Sequence, residues 1–383
     1  MFNVLIACLE NWDSLQEIPF VIKKGGCTTD VFCSKDSWLI SNSFFDNWIE
    51  SSNDPADYAQ QLIDLVKNKT PQYDWVILGD EKLLKLMNDR VDYEWLFKKI
   101  LPLTKIENRE VLASKAGFSV FCEKHAILTP RYRIYNENAD PDAIIEGLAF
   151  PLLFKPDLSW GGSAILICDN KDSVKTNLAK ISAKRDLVIQ EFITGKDIGV
   201  EALFKDGDLI TYNCSEVLEY FDSKFAYTTK RKYFNNTEIE PILQHLGNSM
   251  GIHGFASISF IYEPERRLYY LIEADLRPNF WLPYGRFTGN DFSEGIKKFI
   301  NPGYLKADGA AKRKILKKEI EVALFYRDIR RCWKKKDFKG FFKWVFNYKN
   351  YWRYIPFYDR RLLKSILKAI VHDFLKKLKI RPA

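Results

Sequence analysis

The chain has four histidines and three methionines in 383 residues, and its seven cysteines (Cys8, Cys27, Cys33, Cys122, Cys168, Cys214 and Cys332) include no Cys-x-x-Cys pair. A structural zinc site needs several such ligands close together, so no zinc site is signalled. Scattered thiols also fit a reducing cytoplasm better than a disulfide framework. No apolar run approaches the ~20 residues of a membrane-spanning helix. The opening stretch from Met1 to Glu10 lacks a basic leader and turns acidic, so it is expected to be a first strand rather than a secretion signal. Also missing are a Gly-x-Gly-x-x-Gly turn, an internal repeat, a low-complexity segment and a convincing Ser/His/Asp or Cys/His arrangement. These absences argue against a dinucleotide-binding domain, a solenoid and catalysis through a side-chain nucleophile.

What is present is a globular composition, 46% hydrophobic and 28% charged. The length predicts two or three domains. The net charge of +8 is unevenly spread: from Leu305 onward there are 24 Lys and Arg against 7 Asp and Glu, which leaves 34 against 43 before it. An acidic body therefore carries a basic tail, the balance expected of a segment that meets a polyanion or a membrane surface.

Residues 1–103 alternate short apolar runs (Val4 to Leu9, Val31 to Cys33, Trp38 to Ile40, Trp75 to Leu78) with helical patterns. They predict a small open α/β domain. Residues 104–187 predict a helix around Lys115, a strand after Pro130-Arg131, and two strands flanking the turn Ser159-Trp160-Gly161-Gly162-Ser163. Residues 188–304 hold Gln190-Glu191-Phe192-Ile193, a strand over Val200 to Phe204 that turns at Asp206-Gly207, and the run Leu271-Ile272-Glu273-Ala274-Asp275-Leu276-Arg277-Pro278-Asn279. Side chains at i and i+2 of a strand point the same way, so Glu273 and Asp275 should share a face beside Arg277. Two carboxylates next to a cation suit a magnesium ion bound jointly with phosphate oxygens.

In order, these pieces resemble the ATP-grasp superfamily of carboxylate ligases over roughly residues 1–300. The resemblance implies an α/β and α+β architecture. An N-terminal open α/β (pre-ATP-grasp) domain comes first, then two lobes at 104–187 and 188–304 that close on ATP, then the basic helical extension 305–383. It further implies ATP and Mg2+ as cofactors and an acyl phosphate that is attacked by an amine. Lys115 and Lys155 match the two phosphate-binding lysines, although the usual Asp-Lys pair is here Ser114-Lys115. Ser159, Gly161, Gly162 and Ser163 match the loop that covers the phosphates. Gln190, Glu191, Phe192 and Ile193 match the adenine hinge, Asp197 the ribose acid, and Lys224 a phosphate-reaching loop lysine. Arg277 is the expected catalytic arginine, with Asn279 and Arg286 as candidates to face substrate. In the metal set the family's aspartate is replaced by Ser259, and Glu273-Ala274-Asp275 stands where Glu-x-Asn is typical, so two carboxylates remain but are relocated. Small-molecule carboxylate and amine substrates follow. A nucleotide-binding scaffold and a phosphotransferase are the alternatives.

The segment Phe221 to Phe234, with Lys224, Lys230, Arg231 and Lys232 among five aromatics, reads equally as a lid over an anionic substrate or as a solvated loop. Beyond residue 305, Lys and Arg interleave with Phe338, Phe341, Phe342, Trp344, Phe346, Tyr348, Tyr351, Trp352, Tyr354, Phe357 and Tyr358. Leu362, Leu363, Ile366, Leu367, Ile370, Val371, Phe374, Leu375 and Leu378 recur at helical spacing, with Lys364, Lys368, Lys376 and Lys377 off the stripe. Such a helix either lies in a membrane interface, with a membrane-borne acceptor such as a cell-envelope precursor, or packs on the protein's own body or a second subunit. No nucleic-acid module is present, so nucleic acid is not an expected partner.

Overall fold

The computed structural model describes residues 2–112, 114–136, 139–157, 164–180, 187–301, 303 and 318–377. The first sheet is parallel, built from β1 (Asn3–Cys8), β2 (Thr28–Cys33), β3 (Asn47–Glu50) and β4 (Trp75–Leu78) in the order β3-β2-β1-β4. Its central strand, Asn-Val-Leu-Ile-Ala-Cys, is an unbroken apolar run because a parallel strand is covered on both faces. Val4 through Ala7 are fully buried.

The second sheet is antiparallel: β5 (Tyr132–Tyr135), β6 (Leu152–Pro156), β7 (Leu166–Cys168) and β8 (Leu187–Glu191), ordered β5-β8-β6-β7. The third, also antiparallel, has six strands: β9 (Lys196–Lys205), β10 (Asp208–Tyr220), β11 (Thr228–Phe234), β12 (Gly254–Glu263), β13 (Leu268–Asp275) and β14 (Ile320–Ala323), ordered β13-β12-β9-β10-β11-β14. One hydrophobic core joins the first sheet to the third, with Leu5, Leu78 and Phe97 packed with Val200, Phe204, Leu243 and Phe260. That shared core presents the ends of β4 and β13 to a common cleft.

Two sequence expectations change here. Trp38 to Ile40 is a 3-10 turn, Trp38–Ser41, in which the Ser37 hydroxyl accepts from the Leu39 amide at 3.3 Å; a three-residue apolar run with its own cap closes locally before it can pair. The edge strand is instead Asn47–Glu50. Phe221 to Phe234 is also not a loop throughout. From Thr228 onward it is β11, where Lys230 pairs with Glu321 at 2.7 Å and Lys232 with Glu216 at 3.3 Å and Glu319 at 3.2 Å.

The basic C-terminal region is helical over Phe325–Lys334, Phe338–Phe346 and Arg360–Lys377. It also contributes β14, which composition did not signal and which continues the third sheet beyond β11 (Lys230 opposite Ala323, Tyr233 opposite Ile320). The buried Asp328 carboxylate accepts from Thr229 Oγ1 at 3.0 Å, Arg331 Nε at 2.7 Å and Trp344 Nε1 at 2.9 Å. Asp359 accepts from the Ser43 amide at 2.7 Å, and Tyr358 stacks on Phe20 with ring centroids 4.1 Å apart. Leu362 and Ile366 of the last apolar stripe are buried against this body, whereas Leu367 and Val371 stay exposed. Leu378, and the side chains of Tyr348, Phe374, Lys376 and Lys377, lie outside the described residues. Among the described residues no helix is long and apolar enough to cross a membrane, and all seven cysteines are free and buried.

Candidate active site

Antiparallel pairing of β12 with β13 sets Ser259 opposite Glu273 and Ser257 opposite Asp275, and paired residues share a face. On β12 that face is the half-buried one (Ser257, Ser259, Ile261), while Ile258 and Phe260 enter the core. All of Glu273, Asp275, Ser257 and Ser259 line one cavity of about 450 Å³. Past the strand end the chain turns back, so that the Arg277 amide donates to the Asp275 carbonyl at 2.9 Å and its Nη2 to Asp275 Oδ2 at 3.0 Å. Burial opposes the charge on Arg277, but Asp275, Glu81 and Glu273 outweigh it and hold the guanidinium firmly protonated. Its Cζ lies 5.5 Å from the centre of the Trp12 ring.

The carboxylates crowd one another. Asp275 first and burial second push the Glu273 carboxyl up to about 7, with Glu81 adding to the effect and Lys115 and Lys155 opposing it. Glu81, which belongs to no motif singled out from the sequence, enters just beyond the first sheet: β4 is followed by Gly79-Asp80, and Asp80 caps the helix Glu81–Arg90 through the Leu83 amide at 2.8 Å. Burial and Asp275 raise the Glu81 carboxyl too. Among the described residues no group of three or more His, Cys, Asp or Glu is arranged to hold a metal. A pair of mutually repelling carboxylates beside a polar cavity does fit a cation such as Mg2+, which takes one or two carboxylates and keeps the rest of its shell for phosphate and water.

Lys155, on β6, is 7% exposed and donates to Gln190 Oε1 at 2.5 Å. Burial lowers its ammonium to about 8 against the opposing pull of Glu273. The Gln190 oxygen expected to meet adenine is therefore engaged by Lys155. Its neighbour Glu191 pairs with Arg131 at 2.6 Å and accepts from the Ala149 amide at 2.7 Å, which fixes the strand end. Lys224 Nζ sits 4.6 Å from the Phe192 ring centre. Asp197 accepts from the Tyr220 hydroxyl through Oδ2, its buried Oδ1 has no partner among the described residues, and burial raises its carboxyl.

Lys115 opens a helix, Lys115–Lys124, capped by Ser114, whose Oγ accepts from the Gly117 amide at 2.9 Å. Its Nζ reaches the Asp157 carbonyl at 3.4 Å, and Ala116 donates its amide to Asp157 Oδ1 at 2.7 Å. Of the residues singled out from sequence, Lys115, Lys155, Gln190, Glu191, Phe192, Ile193, Asp197, Lys224, Ser259, Glu273, Asp275, Arg277 and Asn279 line the same cavity. Ser159, Gly161, Gly162 and Ser163 lie outside the described residues, between the paired strands β6 and β7. Arg286 is not in the cavity: it pairs with Glu17 at 2.9 Å and is packed against Phe20, Tyr284, Phe287 and Tyr358, a buried structural cation.

A second group of charged side chains meets beside the cleft. Glu201 on β9, 1% exposed, pairs with Arg231 Nη1 at 3.1 Å and accepts from Asn279 Nδ2 at 3.2 Å through the same Oε1. Arg231 reaches it by crossing Gly199, where a Cβ would stand 2.3 Å from Nη1, so a larger residue there would displace the guanidinium. The Arg231 guanidinium lies 4.6 Å from the Trp281 ring centre. Arg327, from the C-terminal region, packs 4.6 Å from the Tyr227 ring centre and 4.3 Å from that of Phe280. Of this group Asn279 and Arg231 were singled out from sequence; Glu201, Phe280, Trp281 and Arg327 were not, because they are dispersed along the chain and belong to no local motif.

A family model described as an ATP-grasp domain matches residues 113–279. Among curated relatives, a D-alanine–D-alanine ligase of Pelagibacter ubique is 26% identical over 133 residues, 34% of this chain and 43% of that protein. The carbamoyl phosphate synthase large chain of Clostridium botulinum is 27% identical over 240 residues, 59% of this chain and 21% of that one. The chain thus spans less than half the length of either. Among solved structures, an ADP complex of N5-carboxyaminoimidazole ribonucleotide synthetase aligns with TM-score 0.63 at 14% identity, covering 88% of this chain and 85% of that one. An L-amino acid ligase of Bacillus licheniformis aligns with TM-score 0.60 at 14% identity, covering 85% and 80%. At such identity the structural matches speak to the fold alone, an ATP-grasp fold. Residues 113–279 thus match an ATP-grasp domain, and the fold around them agrees with that match.

Proposed function

We propose that the protein is an ADP-forming ligase that joins a carboxylate to an amine at the expense of ATP. The observation that carries this reading is the convergence of Lys115, Lys155, Glu273, Asp275 and Arg277 on one cavity that also holds Phe192, Ile193 and Asp197. ATP would lie with its base against the segment 191–193, its ribose near the unpartnered oxygen of Asp197 and its phosphates toward the two lysines. The substrate carboxylate attacks the γ-phosphorus, the bond to the β-phosphate oxygen breaks, and ADP leaves. The amine then attacks the acyl carbon, inorganic phosphate departs, and a proton is released. Lys155 and Arg277, held charged and desolvated, offset the negative charge that develops on the transferred group. Glu273 and Asp275 would hold Mg2+, with Ser259 facing the same position, and the ion when bound supplies further charge neutralisation there. The names of the similar proteins, a D-alanine–D-alanine ligase and an L-amino acid ligase, support this reaction class.

Titration of ATP into the protein with and without Mg2+ tests the site: binding is expected to require Mg2+ and to be lost in Lys155→Ala. The pH dependence follows from the lowered ammonium of Lys155. Below about 8 it is charged and affinity is flat; above that pH a proton must be taken up on binding, so affinity falls, by up to about tenfold per unit. Lys155→Arg, always charged, is expected to bind more weakly but to lose this alkaline fall. Release of ADP only with both acid and amine present separates a ligase from a nucleotide-binding scaffold, and an amide product separates it from a phosphotransferase.

A second reading, contact with an anionic membrane surface and hence a membrane-borne acceptor, is supported by a different feature from the last helix. On the helix Phe338–Phe346, Phe338, Phe342 and Phe346 recur at i, i+4 and i+8 and are 66%, 54% and 72% exposed, beside Lys339 and Lys343. Triple substitution of these phenylalanines by serine is expected to abolish flotation with phosphatidylserine vesicles. Equal flotation of both forms, or of neither, rules this reading out.

A further inference from the structure

The cleft is lined by more than the residues assigned to ATP and metal. Trp12, Tyr227, Phe280 and Trp281 also line it, together with two further guanidiniums, those of Arg231 and Arg327. Each is stacked on a ring, an arrangement that fixes the plane of the fork before any ligand arrives. Arg231 is largely committed: Nη1 serves Glu201 and Nε donates to Thr228 Oγ1 at 3.1 Å. Arg327 has one partner, Asp13, which takes Nε and Nη2; among the described residues its Nη1 has no acceptor. Asp13 follows Trp12, whose ring carries Arg277, and consecutive α-carbons stand ~3.8 Å apart, so the two cations flank one short stretch of the first domain.

We propose that Arg327 is a specificity-determining residue that receives an anionic group of the ligase's own substrate, a small carboxylic acid with an aromatic or apolar side group such as an amino acid of that kind. The inference rests on the ligase reading and adds to it the substrate class and a residue from the C-terminal region. The aromatic walls remove apolar surface of the substrate from water, and a guanidinium offers a carboxylate a planar two-point contact that an ammonium does not. Arg277, nearer the phosphates, then meets the carboxyl group being activated, while Arg327 holds a second oxygen-bearing group or, in a monocarboxylic acid, orients the single one on entry. The C-terminal region is on this view part of the catalytic unit. Its helix Phe325–Lys334 also anchors the neighbouring loop, with Lys334 bonded to Asp222 at 2.5 Å and Arg330 lying 5.5 Å from the Phe221 ring centre.

The test uses the full chain with saturating Mg-ATP and hydroxylamine as the amine, which traps an activated acid as its hydroxamate. Phenylalanine, tyrosine, tryptophan, leucine and 3-phenylpropanoate are the probes, with glycine and glutamate for contrast. At least one probe is expected to give hydroxamate. Arg327→Ala is expected to raise the KM for that acid tenfold or more, Arg327→Lys less, and both are expected to leave the KM for ATP within twofold. Asp13→Asn breaks the same ion pair but keeps the guanidinium, so the acid KM should stay level or fall. An acid KM unchanged in Arg327→Ala, or raised equally in Asp13→Asn, overturns the assignment and leaves Arg327 a structural cation. ATP binding without any hydroxamate from the probes overturns the substrate class while the nucleotide site stands. Failure to bind ATP at all removes the ligase reading, and this inference with it.

Discussion

Glu273→Gln is expected to lower Mg2+-dependent ATP turnover by about 10²- to 10³-fold, the cost of removing one preorganised electrostatic group from a site where charge develops. Glutamine matches glutamate in shape and keeps an oxygen on the β13 face, so folding should be preserved and the loss should fall on kcat. Asp275→Asn is expected to lose at least as much, because Asp275 serves two neighbours. It faces the cleft beside Glu273, and it holds the Arg277 guanidinium at 3.0 Å. Its removal frees Arg277 from its orienting partner and also takes away the largest influence that keeps the Glu273 carboxyl raised near 7. The two variants should therefore differ in Mg2+ affinity: the glutamate variant keeps the weaker of two modified sites, while the asparagine variant leaves a Glu273 that ionises more readily and binds the ion with less competition from protons. Steady-state ADP release as a function of Mg2+ concentration checks this. Turnover within fivefold of wild type in both variants would place the metal elsewhere and return Ser259, opposite Glu273 in register, to the position of an ordinary strand hydroxyl.

The cation and carboxylate side of the site was legible in the sequence because each part sits at a punctuation mark that has a local cause. An apolar strand running into Lys155-Pro156, two acids at strand spacing before Arg277-Pro278, and Ser114-Lys115 at a helical pattern can all be seen in a few consecutive residues, and Lys155, Glu273, Asp275, Arg277 and Lys115 all line the cavity. Glu81 was not legible: it opens an ordinary helix after β4, and nothing local says that it meets the charge of Asp275. The remaining groups had no local signature. Arg231 lies in a basic strand whose alternation sends Lys230 and Lys232 to surface carboxylates and Arg231 inward across Gly199, and only the pairing partners of β11 decide which is which. Arg286 shows the converse: a cation close to the motif in sequence is drawn away from the cleft by Glu17 and a ring of aromatics. The ties of the basic tail to the body were hidden for a related reason. Composition reports how many lysines a segment carries, but not that Asp328 is bonded to Thr229 and Asp359 to Ser43.

Truncation after residue 304 is expected to give a chain that does not reach the native state. The cut removes β14, leaving β11 as an unpaired edge of the third sheet, an invitation to association between chains. It also uncovers Tyr233 and Tyr284, 1% and 2% exposed, which pack with Val322, Leu324 and Tyr354 in one cluster. Stripping the cover from one large buried side chain costs on the order of 3–5 kcal/mol when the mutation is a truncation to alanine. Loss of several such contacts together is comparable to the whole stability of a domain, about 5–15 kcal/mol. A buried polar group is orphaned as well: Thr229, fully buried, loses Asp328. A shorter cut after Asp359 removes the helix Arg360–Lys377, with Leu362 and Ile366, but retains β14 and Asp328; it is expected to lower the Tm by several degrees while leaving a cooperative transition. Soluble yield, near-ultraviolet circular dichroism and thermal melts of the three chains distinguish the cases. A chain ending at residue 304 that melts cooperatively near the full-length temperature would make the basic region dispensable for folding.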